Sequence, residues 1–492
     1  MNSKKTPPFS GSGFALAALV FATIAACGGG GYGGSSTPAA TAVTPYPVPT
    51  VAAVSPNSSA LGGASFTLSV VGSGFVSQSA VQLNGASLMT TLVNSNLLTA
   101  EVPASALVTP RANAVTVLNP APGGSASSAL TVSVPCVIPP LAPAAAQTRA
   151  RVGAYFFDGW TGALTNFHFN GLPLGLYQDR QPLVGWQVNT SCAVEQQLAT
   201  AHNFGVDFFI FDWYFNTEVN DPGENLKSAL QLTRALTDRH GMQYAILYVS
   251  GQPFDVGPAD WPAAVAEWVG YMTDPAYARV AGKPVLFVLN VGSVRQDFGT
   301  SAAVSAALTQ LRAAAVAQGL PGVTVIGGFG APHGSVGQES LDDGFSTAQQ
   351  DGYDAVAFYA YPFAPPAATG PLPFAALAGA GSWTWDQAQL HLGLPFIPTA
   401  MAGWDPRPWN EVEPSSGDLM WYSRTPQDFS AFVASAVDWV QANPSMRIEP
   451  APAAPIVIVE AWNEFGEGSY FLPTVGDGTA YGDALAAMLT GP

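Results

Sequence analysis

Glu464 and Glu467 stand three residues apart in the string AWNEFGEGSYFLP at 461–473. Two carboxyls around one site can be held in different protonation states, one ionised as a base and one protonated as an acid, which is the equipment of glycosidic bond cleavage. In an extended strand, positions three apart face opposite sides, about 10 Å from each other. Gly466 and Gly468 permit a sharp turn that would bring the heads to the ~5–6 Å of retaining chemistry. Burial and mutual repulsion should then raise one of the two pKa values. Spacing alone favours two solvated loop acids. Their place at the end of an apolar run, beside Trp462 and Asn463, reverses that preference. Glu460 lies inside the run and reads as structural.

Other polar and aromatic candidates sit at the ends of similar runs: Tyr155, Asp158 and Trp160; Asp212, Trp213 and Tyr214; Tyr248; Asn290; Tyr359 and Tyr361; Trp404 and Asp405. Aromatic faces stack on sugar C–H surfaces, and Asp, Asn and Glu bond hydroxyls, so the set suits a neutral carbohydrate. Arg407 is the one cation among these ends, a poor endowment for a phosphorylated substrate. About half of the aromatics are expected to be core packing instead.

These positions need a scaffold. Strands are expected at 152–157, 206–212, 243–249, 284–289, 323–329, 354–359, 395–400 and 455–460, most of them continuous β-branched or aromatic runs of the kind buried on both faces of a parallel sheet. Helical stretches at 192–203, 223–240, 261–273, 301–318 and 426–443 alternate with them. Eight such units across 150–492 predict an α/β fold, a (β/α)8 TIM barrel, whose chemistry sits at the C-terminal ends of the strands. A doubly wound open sheet is the alternative, but no Gly-rich phosphate loop follows the first strand.

Ahead of the barrel, residues 46–135 alternate apolar and polar positions between Gly, Ser, Asn and Pro clusters, which predicts a small all-β sandwich. A Pro/Ala-rich linker occupies 136–149. Cys136 and Cys192 are the only thiols besides Cys27, and a disulfide between linker and barrel is one of two open readings, two unpaired buried Cys being the other. Lys4, Lys5 and the short apolar run 14–26 read as a signal peptide, and 27–45 as a flexible tether.

Of 492 residues, 48% are apolar and only 10% charged, with a formal net charge of −17. A chain so acidic and so poor in Lys and Arg lacks the footprint of a nucleic-acid binder. Five scattered His and three Cys fit neither zinc-finger nor zinc-protease spacing, and neither metal nor cofactor is expected. A monomer is expected.

Three stretches carry resemblances. Ile24-Ala25-Ala26-Cys27 resembles the bacterial lipobox, which implies lipidation at Cys27 and an outer-membrane or cell-surface lipoprotein, held to the membrane by its lipid alone. SPNSSALGGASFTLSVVGSGF (55–75) and the Val81-Gln82-Leu83-Asn84-Gly85 that follows resemble the immunoglobulin-like IPT/TIG family of spacer and adhesion domains. AWNEFGEGSYFLP, with AYFFDGW (154–160), FDWYF (211–215), GKPVL (282–286) and GWDPRPW (403–409) in order, resembles the glycoside hydrolase family 99-like, WbsX-like proteins. That likeness implies a metal-free, retaining, endo-α-mannosidase-like barrel. Glu467 would be its general acid/base and Glu464 the base that assists the sugar 2-hydroxyl through a 1,2-anhydro intermediate. Phe465 and Gly466 depart from the Trp and polar residue of the mannosidases. Two other classes compete. A glycosyltransferase would need a nucleotide-diphosphate site, for which no basic rim or Asp-x-Asp is visible. A non-catalytic glycan-binding lipoprotein would keep the aromatics without needing both Glu.

Overall fold

The computed structural model describes residues 44–491 apart from the loops 61–62, 108–110, 143–147, 162–166, 170–171, 173–176, 187–189, 216–225, 252, 330–337, 361–369 and 411–419. Cys27, the expected signal peptide and Tyr361 lie outside the described residues.

Two four-stranded antiparallel sheets make the N-terminal sandwich. One orders Thr50–Ser55, Phe66–Ser73, Leu97–Val102 and Thr90–Asn94; the other orders Ala86–Ser87, Ala80–Leu83, Arg111–Leu118 and Leu130–Val134. Alternation along the strands turns Leu68, Val70, Leu98, Val102, Val115 and Val117 into the shared core and leaves the intervening residues facing out. Cys136, just past the last strand, is disulfide-bonded to Cys192 in the first barrel helix, Ser191–Asn203. The chain beyond it is strapped along that helix. The Gln196 side-chain amide donates to the Val137 carbonyl at 2.7 Å, the Asn203 amide to the Pro140 carbonyl at 3.0 Å, and the Ala142 N–H donates to Asn203 Oδ1 at 2.7 Å.

The barrel strands run Arg151–Phe156, Phe208–Trp213, Gln243–Tyr248, Lys283–Val288, Thr324–Gly327, Ala355–Ala357, then a seventh in two pieces, and Ile456–Glu460. All pair in parallel and in sequence order. The seventh strand is Phe396–Ile397 and Thr399–Met401, divided by Pro398. Its first piece pairs with strand six (Val356 opposite Phe396) and its second with strand eight (Thr399 opposite Ile458). Proline has no N–H to give to a ladder, so the chain changes partner there, while the Pro398 carbonyl still accepts from Ile458 N–H at 3.0 Å. Strand eight pairs with strand one, Ile456 opposite Arg151, and the ring closes. The expected (β/α)8 barrel is the observed one.

Helices cover the outside. Thr190, Thr300 and Thr425 each cap one by accepting an N–H of its first turn. The helix expected over 223–240 is only Ser228–Ala235. The Arg239 guanidinium folds back onto the carbonyls of Thr233 and Arg234 and closes it early. Helices at Val291–Phe298, Gln338–Asp351, Phe374–His391 and Ala480–Thr490 were not expected from the pattern.

Candidate active site

Strand eight delivers the glutamates. After Glu460 and a cis Glu460–Ala461 peptide, the chain makes a small hairpin in which Asn463–Glu464 pairs with Ser469–Tyr470. The turn between them needs glycine at 468. Its φ is +69°, and a Cβ there would lie 2.6 Å from the Asp405 Cβ. Three outside groups hold the hairpin. The Asp405 N–H donates to the Glu467 carbonyl, Arg180 donates to the Phe465 carbonyl at 2.7 Å, and Ser469 Oγ donates to Glu460 Oε2 at 2.7 Å. The expectation that glycine would bend this segment is realised at Gly468.

Asn463 does not face a substrate. Its amide accepts from Phe157 N–H at 2.8 Å and donates to the Phe157 carbonyl at 2.9 Å, clamping the hairpin to the end of strand one. Trp160 is fully buried, donates from Nε1 to the Asn463 carbonyl, and packs on Phe157, Phe169 and Phe465. It supports the hairpin from beneath instead of lining a cleft.

Glu464 is 4% exposed and accepts a hydrogen bond from the Tyr359 hydroxyl at 2.8 Å through Oε1, while Oε2 is buried without a hydrogen-bond partner. Burial raises its carboxyl to about 7, against the pull of the Tyr359 bond, which favours the ionised form. Glu464 is the more enclosed of the two glutamates. Asp212, at the end of strand two, is 3% exposed. Its Oδ2 receives the Tyr214 hydroxyl at 3.4 Å and lies 3.5 Å from the oxygen of Tyr359, whose one proton goes to Glu464. Burial first, and then the charges of Glu464 and Glu467, push its carboxyl well above the ordinary range. Glu460 is pushed the same way by burial and by Glu467. The phenols of Tyr214 and Tyr359 also lie well above their usual value, through burial and the charge of Asp212. Tyr155 stacks its ring 4.6 Å from that of Tyr359 and anchors its own hydroxyl on the Phe358 carbonyl.

Asp212, Tyr214, Tyr359, Glu464 and Glu467 therefore share one neighbourhood at the C-terminal end of the barrel. Trp213 does not belong to it. It is fully buried on the outer face of strand two, donates to Glu267 at 3.0 Å, and packs on Trp268 and Lys227. Side chains alternate along a strand, so with Asp212 pointing in, Trp213 must point out. Asp405 is not a bare carboxylate, since Arg180 and Arg407 both pair with it. Trp404 is 3% exposed, its carbonyl bonded by Tyr422 N–H. Asp158 caps the helix Ser228–Ala235, accepting from Ala229 and Leu230 N–H, and burial takes its carboxyl to about 8. Glu460, read as structural, holds the hairpin through Ser469. Arg180 was missed as part of the site's frame, and its place far away in sequence offered no signal. Among the described residues no group of three or more His, Cys, Asp or Glu is placed to hold a metal ion.

The sandwich matches the IPT/TIG family model over residues 49–134. Those residues are an IPT/TIG domain. The IPT/TIG domain is thus followed by a barrel whose similar solved structures include glycoside hydrolases. A GH99 endo-α-mannosidase from Bacteroides thetaiotaomicron is 15% identical with a TM-score of 0.43, covering 66% of this chain and 88% of its own. An exo-β-1,4-mannosidase from Opitutaceae bacterium strain TAV5 is 13% identical at 0.40, over 69% of this chain and 59% of its own. A Bacteroides ovatus GH5 xyloglucanase is 10% identical at 0.35, over 90% of this chain and 98% of its own. No curated protein matches the chain in sequence.

Proposed function

We propose that the barrel is a retaining glycoside hydrolase that cleaves an α-linked polysaccharide or glycan in the manner of an endo-α-mannosidase. The observation that carries this is Glu464: a buried carboxyl raised to about 7, aimed by the Tyr359 hydroxyl, in the same neighbourhood as the half-buried Glu467. A base with a pKa near neutrality matches its task. Glu464 takes the proton of the sugar 2-hydroxyl as that oxygen attacks the anomeric carbon. The glycosidic C–O bond breaks as Glu467 protonates the leaving oxygen. Glu467, now ionised, then takes a proton from water, which attacks the anomeric carbon of the 1,2-anhydro sugar. The epoxide bond from C1 to the oxygen on C2 breaks, and the oxygen left on C2 recovers its proton from Glu464. The buried aromatic and phenolic surround keeps competing water away from the strained intermediate.

The test is a panel of α-linked polysaccharides incubated with the purified chain, with reducing ends and product sizes measured. Glu464→Gln should be impaired on every substrate. Glu467→Gln should be partly spared where the leaving group is a good one, because it no longer needs a proton. An absence of new reducing ends from every substrate would sink the reading.

A further inference from the structure

The chain holds only 16 Lys and Arg. Three of them, Arg180, Arg407 and Arg424, line one cavity of about 420 Å³, a volume in the range of small-ligand pockets. The cavity lies against the catalytic hairpin. Gly468 is on its wall next to Glu467, and so is Asp405, whose N–H holds the Glu467 carbonyl.

The guanidiniums there are matched and stiffened. Arg180 and Arg407 share the Asp405 carboxylate, and Arg424 pairs with Asp477 at 2.8 Å. Arg424 is sandwiched between the rings of Tyr470 and Tyr481, at 4.0 and 4.3 Å. Arg407 lies over the Trp421 ring at 3.9 Å. A wall of compensated ion pairs is no anion trap, because Asp405 and Asp477 would repel a phosphate or sulfate. Nor is it an apolar groove, because an apolar occupant would strip water from the ion pairs. It does offer fixed donors beside fixed acceptors, which is what the vicinal hydroxyls of a sugar require, since each both donates and accepts. Pre-ordered side chains also lower the cost of binding. Arg407 is the reachable member, its side chain 39% exposed against 6% for Arg180 and 12% for Arg424.

We infer that this cavity is a subsite for a neutral pyranose on the leaving-group side of the scissile bond, and that Arg407 makes the enzyme favour substrates long enough to reach it. The inference rests on the reading of Glu467 as the acid that serves the leaving group.

The experiment compares kcat/KM on α-mannan oligosaccharides with kcat/KM on an aryl α-mannobioside, whose leaving group has no sugar for the subsite. The ratio of the two is the readout. Arg407→Ala should lower the ratio about 10- to 100-fold, the loss expected for a hydrogen bond to a charged donor. Asp405 keeps Arg180 in that variant, so its charge is not stranded. Arg407→Lys retains the cation but not the planar fork, and should lower the ratio as well. A ratio unchanged in both variants overturns the subsite while leaving the hydrolase reading intact. A wild-type chain that cleaves neither α-mannoside overturns the mannosidase-like reading on which the subsite rests, and the subsite with it.

Discussion

Replacing Tyr359 by Phe removes one hydroxyl and keeps the ring that stacks on Tyr155. That hydroxyl donates to Glu464 Oε1 at 2.8 Å, and it is the group that favours the ionised carboxylate against the burial that raises it to about 7. A hydrogen bond to an ionised group is worth about 1.5–3 kcal/mol, and one pKa unit corresponds to ~1.4 kcal/mol. Losing it should therefore lift the Glu464 pKa by about one to two units. The base works only when ionised, so the acidic limb of kcat/KM against pH moves up by the same amount. Below both values, near pH 6, kcat/KM falls about 10- to 100-fold; well above both, it changes little. The assay is kcat/KM from pH 5 to 10 for wild type and Tyr359→Phe on one oligosaccharide. A limb that stays in place, or moves down, would refute the assignment of Glu464 as the base and of Tyr359 as its partner.

Trp213→Ala should cost about 3–5 kcal/mol in denaturant unfolding while leaving sugar affinity as it was, because the ring fills the strand–helix layer; weakened affinity at unchanged stability would place it back in the cleft. Asp158 holds its proton up to about pH 8 when folded but only to about 3.8 otherwise. Between those values the folded chain binds the extra proton, so stability falls as pH rises through the window and levels off above about 8. Asp158→Asn should shrink the drop in Tm from pH 5 to pH 8; an equal drop in the variant would show that Asp158 is not a source of it. Cys27→Ser should release the protein from membranes on fractionation, as the lipobox-like run leads one to expect; full membrane retention would rule the lipid anchor out.

The barrel was legible because its strands are short apolar runs bounded by turn residues; strand seven was expected unbroken over 395–400, and its division at Pro398, a residue that cannot donate to a ladder, was not read. Glu464 was picked out from its place four residues beyond an apolar run that ends in Glu460, and the structure buries it there. What sequence could not resolve was direction. Consecutive residues at a strand end cannot all face the lumen, and the phase of the alternation decided that Asp212 points in and Trp213 out. Nor could it show that the Asn463 amide is spent on both backbone groups of Phe157, or that Arg180 crosses 225 positions to share Asp405 with Arg407. Such partners meet only after the loops have closed.

The strap from Cys136 to Ala142 also decides how far the two domains are interchangeable parts. Cys192 belongs to the barrel's first helix, yet it packs with the sandwich's apolar core and is bonded to a residue that leaves with the sandwich. Pro139 and Leu141 roof a cavity of about 640 Å³ whose floor includes Phe204 and Leu472 of the barrel. A barrel inherited or expressed by itself would begin with an orphan thiol and an uncovered apolar hollow, prone to cross-linking and to sticking to its own copies. Any shuffling of this sandwich onto another enzyme, or of this barrel onto another spacer, must bring residues 136–142 along or replace Cys192 and reseal the hollow.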